Sequence, residues 1–169
     1  MSKNLSVLVD TSYLITVYDK NRPNNGTAYK YYRYFLKNKI TMLLSTIVIT
    51  EFQQGQPVAD IINSGHYIIL PFNFDDAVKA ADIAYNLGGT DRRGDSMPKF
   101  EDDLKIMAQA EFNKIDFIIT EDESTLARYC KKLQKAGMFD SKVIVVKDGF
   151  DASWFNDGQS TLLDEEDTS

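Results

Sequence analysis

Five short apolar runs punctuate the chain, at residues 5–9, 40–44, 67–70, 117–119 and 143–146. Each is nearly continuous in Val, Ile, Leu or aromatic residues rather than alternating with polar ones. Strands written this way are covered on both faces, as in parallel sheets. The stretches between them carry helical spacing. Residues 29–37 predict a polar and aromatic helix. Ser45 is placed to cap a helix running through Glu51 and Phe52 to about Gly55. Asp75 or Asp76 is placed to cap a helix carrying Ala77, Ala80, Ala81 and Ala84, which stops at Gly88-Gly89. Asp102 or Asp103 opens another helix, with Leu104, Met107, Ala108 and Phe112. Ser124 opens a last one, closed by Gly137. Residues 20–27 and 88–99 read as mobile loops.

Strands alternating with helices predict an α/β domain. Its central sheet is mostly parallel, of about five strands, with helices on both faces. No repeat or linker divides the chain. Residues 1–150 form the expected domain, and residues 151–169 an acidic, partly disordered tail.

Composition narrows the chemistry. The chain has 169 residues, 43% hydrophobic and 26% charged, as expected of one globular domain. A single cysteine, Cys130, excludes an internal disulfide and a cysteine-cluster zinc site. A single histidine, His66, excludes histidine-rich metal sites and argues against a Ser-His-Asp triad. No run approaches the ~20 apolar residues of a membrane span. The first apolar run meets Asp10 too soon for a signal peptide, so a cytoplasmic chain with no membrane partner is expected. The net charge of −6 speaks at first against nucleic acid. Yet residues 151–169 hold six acids and no Lys or Arg, leaving 19 acids against 19 bases in the body. Clustered acids in a neutral body require clustered bases elsewhere, so a nucleic-acid partner stays open.

Four acids stand where chemistry is expected. Asp10 ends the first strand, in SVLVDTS, and Asp122 lies just beyond the fourth, in DFIITEDES. In parallel sheets, ligands bind outside the carboxyl ends of the strands. Glu51 interrupts an otherwise uncharged helical stretch, in LLSTIVITEF, and Asp103 lies near the start of the helix EDDLKIMAQA. Carboxylates gathered in one cleft repel one another, and a divalent cation relieves that cost. Oxygen-only ligands favour Mg²⁺ or Mn²⁺. Such ions activate water and stabilise charge building on a phosphodiester. Thr11, Ser12 and Thr120 could orient a carboxylate or hold water beside them. A Walker loop and a strand-borne GxGxxG are absent, so nucleotide-triphosphate and dinucleotide chemistry have no support. An aspartyl-nucleophile phosphohydrolase would carry a second Asp where this chain has Ser12.

The stretches VLVDTSYLI, STIVITEF, DDLKIMAQA and DFIITEDES, in this order, resemble the PIN-domain nucleases. The nearest type is the small bacterial VapC-type toxin of toxin–antitoxin pairs. The resemblance spans about residues 5–147, including HYIILPFNFDDAVKAADIAYNLG between the second and third motifs. It implies a PIN-like three-layer fold and Mg²⁺- or Mn²⁺-dependent cleavage of RNA. Asp10, Glu51, Asp103 and Asp122 match the four acidic positions and would be both catalytic and metal-binding. Asp103 is preferred over Asp102 for its distance to Ala108 and Ala110. Leu104-Lys105 depart from the usual small residues after the third acid. The resemblance also implies a small antitoxin partner and a homodimer. The alternative is a PIN-like RNA-binding or protein-interaction module with little catalysis.

Cationic residues offer further readings. Arg92, Arg93 and Lys99 precede Asp103 and could reach substrate phosphate, or merely be solvated. Tyr29, Tyr31, Tyr32 and Tyr34, interleaved with Lys30 and Arg33, could stack on bases or pack on the core. Arg128, Lys131, Lys132 and Lys135 read as the wet face of a helix, and Glu121 and Glu123 as solvated. Trp154 and Phe155 suggest that the start of the tail docks.

Overall fold

The structure is a computed structural model and describes residues 4–88 and 97–156. Five strands form one sheet: β1 (Ser6–Val9), β2 (Thr41–Ser45), β3 (Tyr67–Leu70), β4 (Phe117–Thr120) and β5 (Lys142–Val145). Their order is β3-β2-β1-β4-β5, and every pairing is parallel. The expected α/β architecture with helices on both faces is therefore present. Val7, Leu8 and Val9 of β1, and Ile118 and Ile119 of β4, are fully buried. Successive strand residues point to opposite faces, so both faces of the central strands are covered. The edge strand β3 departs from that rule. Ile68 and Ile69 are 59% and 43% exposed.

The described helices are α1 (Thr11–Tyr18), α2 (Asn25–Lys37), α3 (Thr46–Gly55), α4 (Ala59–Asn63), α5 (Phe74–Leu87), α6 (Met97–Phe112) and α7 (Leu126–Lys135). Two 3-10 turns follow, Val146–Asp148 and Ala152–Phe155. No helix among the described residues is long and apolar enough to cross a membrane.

Ser45 caps α3 as its sequence suggests, accepting from the Ile47 N–H at 3.0 Å. Other boundaries differ. The sequence pattern does not predict α1, because TSYLITVY is rich in β-branched and aromatic residues. It forms because the chain turns at Asp10, whose carbonyl accepts from the Leu14 N–H at 3.0 Å. The expected mobile loop at residues 20–27 is short, since α2 starts at Asn25. Asn25 pins it by donating to the carbonyls of Thr16 and Val17 at 2.8 and 3.0 Å. Asn73, not Asp75 or Asp76, caps α5. Its side chain accepts from the Asp76 N–H, while Asp76 accepts from the Asn73 N–H, a capping box. Neither Asp102 nor Asp103 opens α6, which already begins at Met97. Residues 97–99 are thus helix rather than loop, and residues 89–96 lie outside the described residues. Thr125, rather than Ser124, precedes α7.

Three of the four tyrosines of α2 pack on the body, while Tyr29 is 48% exposed. Tyr31 and Tyr32 are buried, and Tyr34 lies against Phe150 and Phe155 at ring distances of 5.6 and 5.1 Å. Phe155 also meets Phe35 and Phe117, so the last described turn docks on the body.

Candidate metal centre

The chain runs β1–β2–β3 outward in one direction, then returns to lay β4 and β5 on the other side of β1. The crevice between β1 and β4 is therefore the topological switch point, where α/β sheets bind ligands. Asp10 stands at its mouth. Its backbone N–H extends the ladder to the Ile119 carbonyl at 3.0 Å. Its side chain is 8% exposed, and Oδ2 accepts from the hydroxyls of Ser12 at 2.6 Å and Thr120 at 2.7 Å. Each hydroxyl has one proton, so both are spent on Asp10. The same two oxygens then accept backbone N–H groups, Ser12 from Glu121 and Thr120 from Asp122, each at 2.9 Å. This relay ties the end of β1 to the turn beyond β4.

That turn is built by Asp122. Its Oδ1 accepts from the Ser124 N–H and hydroxyl, both at 2.9 Å, and from the Thr125 N–H at 3.1 Å. Its Oδ2 accepts from the Thr125 hydroxyl at 2.6 Å and pairs with Lys99 Nζ at 2.5 Å. Burial works against ionisation of Asp122, but Lys99, Thr125 and Ser124 outweigh it and hold the carboxyl far below its usual range. Lys99 gains in turn. Its partial burial is outweighed by Asp122, Asp103 and Asp10, and its pKa is raised.

Asp103 sits on α6, 8% exposed. Its Oδ2 is buried with no hydrogen-bond partner. Burial, then the charges of Asp10 and Asp122, push its carboxyl up to about 8, against the opposing pull of Thr125 and Lys99. Asp102, one residue before, pairs instead with Lys105 at 2.9 Å. Glu51, on α3, accepts a hydrogen bond from the Thr11 hydroxyl. Burial raises its pKa, Thr11 opposes the shift, and Asp10 and Asp102 add to it.

Asp103 thus feels the charges of Asp10, Asp122 and Lys99, Lys99 feels those three acids, and Glu51 feels Asp10. Among the described residues, however, no three acidic, His or Cys side chains form a ready-made ligand group. The Lys99 ammonium supplies the positive charge at Asp122. The donor chemistry still fits a hard divalent cation. All four candidate ligands are carboxylates, and the orphaned Asp103 Oδ2 is a buried oxygen in need of a positive partner. Arg92 and Arg93 lie outside the described residues.

Two residues carry more than their sequence suggested. Glu121 is not solvated. It accepts from Thr16 at 2.7 Å, Asn24 at 2.8 Å and Arg22 at 3.2 Å, with its side chain 12% exposed. Burial opposes its ionisation, but these donors prevail and its pKa is lowered. The polar stretch KNRPNN supplies two of those donors, Arg22 and Asn24, yet spacing alone does not connect it to a residue a hundred positions on. Gln109, fully buried on α6, accepts from the Ser45 hydroxyl and donates to the Leu70 carbonyl at 3.2 Å. It fixes α6, and hence Asp103, against the ends of β2 and β3.

Neither a protein-family model nor a curated protein sequence matches the chain. Solved structures do, at low identity. The chain resembles VapBC2 from Rickettsia felis, bound to a DNA fragment from the pair's own promoter, with 16% identity and a TM-score of 0.55 over 83% of this chain and 98% of that one. It resembles DNA-bound VapBC from Salmonella typhimurium with 14% identity and a TM-score of 0.53, over 84% and 98% of the two chains. It also resembles the VapC20 toxin of Mycobacterium tuberculosis, described as cleaving the sarcin–ricin loop. There the identity is 17% and the TM-score 0.51, over 72% and 94%. The chain has the PIN-like fold of these VapC structures.

Proposed function

We propose that the chain is a Mg²⁺- or Mn²⁺-dependent endoribonuclease, the toxin of a toxin–antitoxin pair acting in the cytoplasm. The observation that carries this reading is the unpartnered, buried Oδ2 of Asp103, held within reach of Asp10 and Asp122 at the sheet's switch point. Asp10, Glu51, Asp103 and Asp122 would hold the ion. When bound, it would acidify the attacking water and offset charge developing on the phosphodiester.

The chain's own groups prepare the site. Ser12 and Thr120 fix the rotamer of Asp10, and Thr11 orients Glu51. The donors from Ser124 and Thr125 hold Asp122 ionised. Lys99 must leave Asp122 before that carboxylate can engage an ion, and its ammonium is then available to a substrate phosphate. Arg92 and Arg93 are proposed to assist it. The likeness to structures solved as VapBC complexes supports an antitoxin partner, and a homodimer is proposed alongside it.

A second reading is a PIN-like binding module with little catalysis. It is favoured by Lys99 already seated on Asp122 and by the lack of a ready-made group of three ligands among the described residues. One experiment separates the two. Mn²⁺ at about a hundredfold excess over Kd stabilises a protein that binds it by about 2.7 kcal/mol, so the melting temperature should rise by several degrees. Labelled RNA should then be cut. Asp10→Asn and Asp122→Asn should abolish cutting and leave the fold intact. Full metal-dependent activity in both variants overturns the assignment, and metal binding without cutting favours the module.

A further inference from the structure

A second concavity lies beside the acidic site, and the chemistry above does not use it. It is a cleft of about 750 Å³, and the described residues that line it include five cations and one acid, Glu123. The cations are Arg128, Lys131, Lys132 and Lys135 of α7, and Lys147 of the turn after β5. Their spacing of three and four residues puts those of α7 on one helical face. The opposite face, with Leu126, Tyr129, Cys130 and Leu133, is buried.

This is an unusual wet face. Acids three or four residues away stabilise helix cations, and α7 contains no Asp or Glu. Lys131, Lys135 and Lys147 are exposed and make no ion pair among the described residues. Arg128 and Lys132 are anchored. Arg128 sits 4.7 Å from the Tyr129 ring centroid, and Lys132 Nζ donates to the Leu87 carbonyl at 3.3 Å. Like charges so placed repel one another, a cost that a polyanion in the cleft relieves. In a chain of net charge −6, five cations gathered along one cleft stand out, even with Lys147 also favouring the ionised form of Glu121.

The cleft adjoins the candidate metal centre. Glu123 and Ser124 form part of its wall, and Ser124 donates twice to Asp122 at 2.9 Å. From residue 128 to 135, α7 spans about 10 Å. That is the length of roughly three stacked nucleotides. We infer that the cleft between α7 and Lys147 is the track that holds the sugar–phosphate backbone of a single RNA strand next to its scissile bond. Arg128 and Lys132 form its fixed floor, and Lys131, Lys135 and Lys147 reach for phosphate. The inference rests on the nuclease reading above, from which it takes the position of the scissile phosphate.

The test is the affinity of the full chain for labelled single-stranded RNA in EDTA, where no strand is cut, at several salt concentrations. Replacing Lys131, Lys135 and Lys147 together by Ala should weaken binding about tenfold or more near 0.1 M salt. It should also reduce the slope of log affinity against log salt by about 2, at roughly 0.7 per lost contact. Arg at the same three positions should retain binding, and the melting temperature should match that of the unaltered chain in both variants. An unchanged affinity and slope in the Ala variant overturn the track, as does no binding by the unaltered chain. Tighter binding of duplex DNA, lost through the same changes, also overturns it. The two readings fail separately. RNA held through these lysines but never cut on adding Mn²⁺ sinks the nuclease and keeps the cleft. RNA cut by a chain whose Ala variant binds unchanged does the reverse.

Discussion

Asp103 concentrates the conflict in this molecule. Its carboxyl is buried beside two other acids, one oxygen has no partner, and it holds its proton up to about 8. In the unfolded chain it would release that proton near its ordinary value of 3.8. Raising the pH from about 4 to 8 therefore ionises the unfolded state first and favours unfolding. Metal-free protein should lose a few kcal/mol of stability across that window through this group. Urea melts from pH 5 to 8 should show the decline, and Asp103→Asn should flatten it. A divalent cation should flatten it too, by favouring the ionised folded form. Lys99 makes the complementary point. Its ammonium competes for Asp122 and adds positive charge near Asp103 and Asp10. Lys99→Met should therefore tighten Mn²⁺ binding several-fold by calorimetry. Weaker binding would mean that Lys99 orders the site rather than competing for it. Asp10 and Asp122 could be placed from their positions at strand ends, Glu51 from the charge interrupting an apolar stretch, and Asp103 only as an acid near a helix start that in fact lies at Met97. The ion pair of Lys99 was not legible, because it depends on α6 beginning at Met97 rather than at the aspartates.

Elements show where sequence patterns succeed and where they fail. The central strands are readable because both faces are buried, which leaves unbroken apolar runs, and β3 carries such a run although it is an edge strand. Helix α3 was readable because Ser45 precedes its apolar stretch. Helix α5 was placed, but its cap was not. A run of two aspartates looks like a start signal, while the capping box begins at Asn73 and uses Asp76 as its third residue. Asp76 is fully buried and also accepts from Asn113 Nδ2 at 3.1 Å, so the box joins the start of α5 to the end of α6. Asn73→Ala should cost about 1 kcal/mol by loss of the cap. Chemical denaturation should detect it, with metal binding unchanged. Helix α1 escaped detection because its local composition favours a strand. Tertiary context, through the turn at Asp10, decides otherwise.

At the scale of the molecule, the order of strands does most to create the site. Because β4 returns to the far side of β1, the ends of two central strands face one crevice, and residues 110 positions apart share a hydrogen bond, Thr120 to Asp10. Sequence patterning gives the elements but not that order, so the strand ends suggest that the acids meet without saying which strands bring them together. The opposite edge of the sheet has its own closure. The Tyr31 hydroxyl donates to the Gly149 carbonyl at 3.0 Å and accepts from the Asp151 N–H at 3.1 Å. Phe155 fills the angle between α2 and the start of β4. Phe155→Ala should cost about 2 kcal/mol, less than a fully buried Phe, because its ring is only partly covered. A melting curve shifted by the change, with the metal response intact, would separate this anchor from the acidic crevice.

Trp154 is the chain's single tryptophan, 37% exposed, in a recess beside Phe117 and Lys142 at the amino ends of the strands. The protein therefore carries an intrinsic fluorophore at the far edge from Asp10 and Asp122. Its emission should register release of residues 152–155 from the body, and stay silent when cations or RNA arrive across the sheet. Optical titrations of the acidic crevice would need an added dye, while detachment of the C-terminal anchor can be followed with none.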